Sequence, residues 1–241
     1  MQIIKELINT VPDIQVDEVV VGLFSTLIKA GKYRGVASTL KGDRPHSRIK
    51  KSGHLENFTL RELARFALSE NLLEASLGMA AINSAWALEN ANYKNINAKN
   101  IILEYGKGKN VGVIGHFPFL EKMERYFHKL YIFEKQPRKN DYPEEDIPKY
   151  LPDMEVIALT ATSLTNHTFD DIMKYASRNS FIIMLGPSTP LAPILFEHGI
   201  DVLAGTFIQN YQKFKKYVIQ ATPTRHLQGK KYVCLMKEDY K

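Results

Sequence analysis

The sequence has a single cysteine, Cys234, among its 241 residues. One cysteine excludes an internal disulfide and leaves no group of thiolates for a soft metal. No apolar run approaches the ~20 residues that span a bilayer, and the first residues include the charged pair Lys5 and Glu6. We therefore expect a cytoplasmic protein with neither a secretion signal nor a membrane span.

The sequence also lacks a block of charge of one sign. Its 32 lysines and arginines are scattered among 26 acidic residues, for a net charge of +6. No zinc-finger or aromatic-basic RNA-binding signature accompanies them, so we expect no nucleic-acid partner. A hydrophobic content of 44% with 24% charged residues is that of a folded globular protein.

The first 97 residues predict a small α+β domain. Apolar spacing predicts a helix over residues 3–11, and three apolar stretches at 18–22, 23–29 and 33–40 predict an antiparallel meander. A polar loop over 41–53 follows. A helix is predicted to begin at Thr59, because Thr59 and Glu62 have the spacing of a capping box. A further helix is predicted over 71–88, and its many small residues should let other elements approach its backbone closely. The Asn-rich stretch 90–100 marks a boundary, so the predicted domains are 1–97 and 98–241.

The second domain alternates strands and helices. Strands are predicted over 110–114, 130–133, 156–159, 181–185 and 201–204, with helices such as 120–127 and 169–176 between them. This rhythm predicts a Rossmann-like parallel sheet, and hence an α/β protein. Ligands of such sheets bind beyond the carboxyl ends of the strands.

The first two strands of this domain end in candidate ligand-binding residues. Gly115, His116, Phe117 and Pro118 follow the first strand, where a dinucleotide fold carries its glycine-rich turn. The full glycine fingerprint is absent, which disfavours ordinary NAD binding. Glu134 ends the second strand about twenty residues later, where an acidic side chain holds ribose hydroxyls in nucleotide-binding relatives of the fold.

The third strand leads into a run of hydroxyl and amide side chains at 160–168. Thr160, Thr162 and Asn166 are the candidates for contacts with a polar ligand. The same side chains commonly stabilise turns and cap helices, and the sequence does not choose between these roles.

The fourth strand leads into Gly186, Ser188 and Thr189, which complete the candidate site. With Thr189 as N-cap, Pro190 at the first position and Gly199 past the end, a helix is predicted after this strand. The start of such a helix would suit a phosphate or carboxylate.

No catalytic pattern accompanies these segments. The seven histidines lack the i, i+4 spacing of a metalloprotease helix, and there is no G-x-S-x-G elbow. The sequence therefore assigns no reaction and no cofactor.

The motifs resemble those of a bacterial and archaeal family of unknown function that carries a heavy-metal chelation label. The resemblance covers nearly the whole chain and rests on residues 25–27, 35–39, 71–83, 113–119, 132–134, 141–143, 151–152, 160–166, 186–191 and 203–206. It implies an enolase N-terminal-like first domain packed on a Rossmann-like second domain, with a site at their junction. With one cysteine, any metal would have to use His, Asp, Glu or a bound organic ligand.

Three functions remain open. The leading hypothesis is binding, with or without modification, of a small anionic metabolite, cofactor or metal chelate at the cleft between the domains. A nucleotide-dependent transferase with Glu134 on a ribose and a non-catalytic heavy-metal carrier are the alternatives. A homodimer is expected because it is the commonest assembly.

Overall fold

The computed structural model describes residues 1–42, 48–87, 92–120 and 122–240. Four predicted segments extend beyond these ranges. Parts of the loop over 41–53, the last residue of the helix over 71–88, two residues of the Asn-rich boundary and one residue of the helix over 120–127 lie outside the described residues.

The predicted N-terminal meander is confirmed. After helix α1 (Gln2–Asn9), the strands β1 (Glu18–Val21), β2 (Ser25–Ala30) and β3 (Tyr33–Ser38) form an antiparallel sheet in that order. Its tight turn at Gly31 has a positive φ of 55°, which glycine adopts without strain.

Two helices follow this sheet, and the predicted capping box is present at the start of the first. Helix α2 (Leu60–Ala64) begins at Thr59, whose hydroxyl accepts from the Glu62 N–H at 3.3 Å while the Glu62 carboxylate accepts from the Thr59 N–H at 2.8 Å. Helix α3 (Leu72–Trp86) begins at its N-cap Asn71. A Cβ at Gly78 of α3 would lie 2.6 Å from the Cα of Ala67. The close approach predicted from the small residues of this helix is therefore confirmed.

The larger sheet of the described residues is built from β4 (Asn110–Ile114), β5 (Lys129–Glu134), β6 (Tyr142–Pro143), β7 (Val156–Thr160), β8 (Phe181–Leu185), β9 (Val202–Ile208) and β10 (Lys230–Met236). Its strand order is β10-β9-β8-β7-β4-β5-β6, and every strand except β10 is parallel to its neighbours. The helices of this part are α4 (Ala98–Gly106), α5 (Ile147–Tyr150), α6 (Thr162–Thr165), α7 (Phe169–Met173) and α8 (Tyr211–Ile219). The predicted α/β class with a mostly parallel second sheet is confirmed.

Alternate residues of the central strands enter two different hydrophobic clusters. Ile157 and Leu159 of β7 pack in the same cluster as Leu77 of α3, whereas Val156 and Ala158 pack in the cluster that includes residues of α4. This period of two is that of a strand buried on both faces. The N-terminal elements thus cover one face of the large sheet and share a hydrophobic cluster with it. The division into domains 1–97 and 98–241 remains a prediction.

The helix predicted over residues 120–127 is wrong. Leu120, Met123 and Phe127 are buried at helical spacing, which explains the prediction. The backbone instead makes successive tight turns, with bonds from Leu120 N to Phe117 O at 2.9 Å and from Met123 N to Leu120 O at 2.8 Å. Only Glu124–Tyr126 forms a 3₁₀ helix. Successive i to i+3 turns bring Leu120 and Met123, three residues apart, to the same side without an α-helix, whereas Phe127 is extended and lies beyond the 3₁₀ helix.

No helix in the described part of the chain has both the length and the apolar character that a bilayer crossing requires.

Candidate functional site

The order of the large sheet reverses between β4 and β7. From β4 the chain continues to β5 and β6 on one side, then returns to β7, β8 and β9 on the other. In open α/β sheets, a ligand crevice opens at such a switch point, beyond the carboxyl ends of the strands. Gly115 follows β4 and Thr160 ends β7 at this point, so two of the predicted segments flank it.

A cavity of about 440 Å³ lies at the switch point, and we call it the switch-point cavity. It has the size of an ordinary small-molecule site. Seven of the predicted site residues line it, so the structure brings them together: Gly115, His116, Phe117, Glu134, Thr160, Thr162 and Asn166. The described lining residues all fall within 114–175, so this cavity belongs to the second half of the chain and not to the junction with the first half.

Acidic groups dominate the charge of the switch-point cavity. Among its described lining residues, the carboxylates of Glu134, Glu144, Glu145 and Asp171 stand against one ammonium group, that of Lys135. Lys135 Nζ lies 3.8 Å from the Glu144 carboxylate. Lys174, outside the cavity, lies 2.5 Å from Asp171, and its ammonium group lowers the pKa of that carboxyl. This balance disfavours an anion and suits a ligand that is cationic or rich in hydroxyl groups.

Glu134 is oriented by the backbone at the end of β5. Its Oε1 accepts from the Lys135 N–H at 3.0 Å, and no described residue donates to Oε2. The carboxylate therefore keeps acceptor capacity toward the cavity, since an ionised carboxylate has about four acceptor sites.

His116 is held by side chains from the β5–β6 connection. Its Nδ1 lies 3.3 Å from Asp141, and its Nε2 lies 2.7 Å from Arg138 Nη1. Arginine only donates, so Nε2 accepts and Nδ1 carries the proton that points to Asp141. Asp141 also accepts from the Arg138 N–H at 3.0 Å. These contacts join the turn after β4 to the β5–β6 connection.

The hydroxyl run after β7 stabilises turns, which is one of the two roles left open by the sequence, while its contact with a ligand stays a prediction. The Thr160 and Thr162 hydroxyls hydrogen-bond each other at 2.9 Å, and the Thr168 hydroxyl donates to Asn166 Oδ1 at 2.8 Å. These bonds stabilise the turns around α6. All four side chains also line the switch-point cavity.

The helix predicted from Thr189 to Gly199 is wrong, so the helix start on which the predicted anion site rests is missing from the described residues. Only Pro193–Phe196 is helical, as one 3₁₀ turn, and Ala192 before it is extended, with φ −102° and ψ 113°. The ring of Pro193 disfavours the α conformation at Ala192, so a helix could not cross this position. The pattern of Thr, Pro and Gly that suggested caps instead belongs to an irregular buried segment.

Ser188 and Thr189 lie apart from the other predicted site residues. Both are buried and line neither the switch-point cavity nor the second cavity described below. The Ser188 hydroxyl accepts from the Ser38 N–H at 2.9 Å, which joins the loop after β8 to β3. Thr189 Oγ1 has no hydrogen-bond partner among the described residues.

Replacing Thr189 by valine is expected to raise the free energy of unfolding by about 1 kcal/mol, because a buried hydroxyl without a partner carries a desolvation cost. The same change at Thr59 should lower it by about 0.5–2 kcal/mol, because Thr59 caps α2. Urea denaturation of both variants measures the two changes in the free energy of unfolding. A loss of stability at Thr189 as large as that at Thr59 would contradict this assignment.

Pro118 and Gly186 line a second cavity of about 290 Å³, which we call the second cavity. Phe117 lies between the two cavities and lines both. The second cavity lies at the end of β8 and against residues within β9 and β10. Thr224 in its wall hydrogen-bonds Ser25 of β2, with 3.2 Å between the two hydroxyls. Its wall therefore reaches the junction of the two halves of the chain.

Metal-ligating side chains do not gather anywhere in the described part of the chain: no three His, Cys, Asp or Glu residues there could hold one ion. Cys234 is buried, its thiol donates to the Ile96 carbonyl at 3.1 Å, and burial raises its pKa to about 12. A thiol in that state is neutral near pH 7 and a poor ligand for a soft metal.

Models of known protein families match both halves of the chain. The family models DUF364 and DUF4213, each described as "Putative heavy-metal chelation", match residues 97–237 and 4–86. An uncharacterized protein of Methanocaldococcus jannaschii is 30% identical over 215 residues, 83% of this chain and 81% of its own length.

Two crystal structures of DUF364 proteins of unknown function share the fold. The protein from Desulfitobacterium hafniense is 31% identical, with a TM-score of 0.84 over 98% of this chain and 97% of its own. The protein from Pyrococcus horikoshii is 22% identical, with a TM-score of 0.82 over 98% of each chain.

Proposed function

This chain belongs to the DUF364 family, and we propose that it binds a ribose-bearing small molecule without phosphates, a nucleoside or a cationic nucleoside derivative, in the switch-point cavity. The observation that carries the proposal is the place of Glu134. Its carboxylate ends the strand next to β4 and lines the cavity, which is the position of the ribose-binding carboxylate in dinucleotide folds.

The absence of phosphate from the proposed ligand follows from charge and backbone. Four carboxylates line the cavity, and their repulsion disfavours a phosphate group. Among the described residues, the segment after β4 forms turns and no α-helix before β5. A pyrophosphate site of the dinucleotide type uses a helix N-terminus at that place, so the leading anionic-ligand hypothesis is replaced here by a hydroxyl-rich or cationic ligand.

Direct chelation of a heavy metal, the activity that the family description names, receives no support from the described side chains. The one thiol is neutral and already donates a hydrogen bond. Because no group of three His, Cys, Asp or Glu residues among the described ones could hold an ion, a metal at these residues would need an organic ligand that supplies donor atoms.

The proposed function predicts discrimination between adenosine and 2′-deoxyadenosine. Isothermal titration calorimetry should give tighter binding of adenosine by about tenfold, the worth of one hydrogen bond to a charged group. Glu134→Gln should weaken adenosine binding by about the same factor and erase most of the preference, because the amide is uncharged.

Glu104→Gln is the matched control for this titration, since Glu104 is exposed on α4 and lines neither cavity. It should leave both affinities unchanged. Equal affinity of the wild-type protein for the two nucleosides, or full retention of the preference in Glu134→Gln, would overturn the ribose assignment.

A further inference from the structure

We infer that the second cavity is a separate binding site for a small carboxylate with a flat apolar body. This inference goes beyond the proposed function, because it concerns another cavity and another ligand. It rests on the wall of the cavity, on the cations beside it and on the lack of carboxylates around them.

The wall of the second cavity is mostly apolar. Phe117, Pro118, Phe119, Leu185 and Pro187 contribute rings and aliphatic groups, and Ala204 and Gly205 of β9 add little bulk. Flat apolar ligands bury well against aromatic and proline rings. The Cys234 thiol in this wall is neutral and does not alter its charge.

Positive charge is concentrated at one side of this cavity. Arg225 is the one charged side chain among its described lining residues. Behind the wall, Lys230 Nζ donates to the Thr224 carbonyl and lies 4.7 Å from the centroid of the Tyr232 ring. Thr224 and Tyr232 both line the cavity, so the ammonium group lies one residue layer behind its surface.

Neither cation is paired with a carboxylate of the described residues. The ion pairs of the described chain include neither Arg225 nor Lys230. The Arg225 guanidinium donates from Nε to His226 at 2.9 Å. Burial lowers the pKa of Lys230 to about 8, which is the effect of a desolvated ammonium group without a counter-charge.

A ligand carboxylate supplies the charge that this side of the cavity lacks. Arginine recognises carboxylates through paired, parallel hydrogen bonds, and its fork-shaped guanidinium fits them better than a lysine does. The switch-point cavity has the opposite character, with four carboxylates in its wall. The two cavities therefore select ligands of different charge on the two sides of Phe117.

The probes for the test are 2-naphthoate and its neutral counterpart 2-naphthylmethanol, titrated into the full chain by calorimetry. We expect naphthoate to bind more tightly than the alcohol. Arg225→Gln should weaken naphthoate binding by about tenfold or more, because it removes a charge-assisted hydrogen bond. The affinity for the alcohol should stay nearly unchanged.

Arg178→Gln is the matched control. Arg178 is an exposed arginine that precedes β8, so it lies at the other end of that strand from Leu185 in the cavity wall. It should not change naphthoate binding. Glu134→Gln should not change it either, which separates this test from that of the proposed function. Absence of naphthoate binding at millimolar concentration, or equal affinity in the wild-type and Arg225→Gln proteins, would overturn the inference.

Discussion

Replacing Gly78 by alanine is expected to lower the free energy of unfolding by about 3 kcal/mol or more. An added Cβ would lie 2.6 Å from the Ala67 Cα and from the Phe66 carbonyl carbon. Both atoms are backbone, so relief requires that α3 and the 3₁₀ helix Arg65–Leu68 move apart, and overpacking of this kind is costly. Helix propensity alone predicts the opposite sign, a gain of about 1 kcal/mol. Urea denaturation with linear extrapolation distinguishes the two signs.

Gly42→Ala is the control for this substitution. A Cβ at Gly42 would meet no heavy atom of the described residues within 4 Å, and the φ of Gly42 is not positive. Its stability should stay within about 0.5 kcal/mol of the wild-type value. If Gly78→Ala is as stable as Gly42→Ala, the packing of α3 described here is wrong.

The sequence was most informative about the strands that are buried on both faces. Residues 110–114 and 181–185 were predicted with the bounds that the structure has, because short runs of Val, Ile and Leu flanked by turn residues have few alternatives. The two-residue edge strand β6 left no such pattern. A strand of two residues buries too few apolar side chains to produce a recognisable sequence pattern.

The position of the switch-point cavity was also predictable in outline. Parallel strands bring their carboxyl ends to one edge, so the segments after β4, β5 and β7 had to converge. The helix predicted after β8 is wrong, because residues typical of helix caps indicate a helix only where the residues between them can adopt a helical conformation. Pro193 removes that possibility at Ala192.

Several charged residues of the two cavities, among them Glu144, Glu145 and Arg225, are not among the predicted site residues. Glu144 and Glu145 follow β6, so they could have been assigned to the cavity only if that edge strand had been recognised. Arg225 follows α8 and precedes β10. No local pattern points toward the second cavity, because β10 returns antiparallel and its neighbours in space come from distant parts of the chain.

Replacing Phe133 by alanine is the second substitution with a large expected effect, a loss of about 3–5 kcal/mol in the free energy of unfolding. The side chain lies on β5 with 1% of its surface exposed, and its ring centroid lies 6.4 Å from that of Tyr131 and 5.9 Å from that of Tyr142. Truncation removes contacts with both tyrosine rings and leaves a void, since a sheet cannot collapse locally around a missing ring.

Phe133 also lines the switch-point cavity, so Phe133→Ala tests whether the core and the cavity share a wall. In urea denaturation, Phe24→Ala is the control, because the Phe24 side chain lies in the turn between β1 and β2 with 41% of its surface exposed. Phe24→Ala should lower the free energy of unfolding by less than about 1 kcal/mol. Calorimetry below the unfolding transition should show weaker adenosine binding in Phe133→Ala, since enlarging a cavity removes contacts that a ligand would make. A Phe133→Ala protein as stable as Phe24→Ala would place the ring outside the core. Unchanged adenosine affinity in a destabilised Phe133→Ala protein would instead move the nucleoside away from this wall while leaving the packing assignment intact.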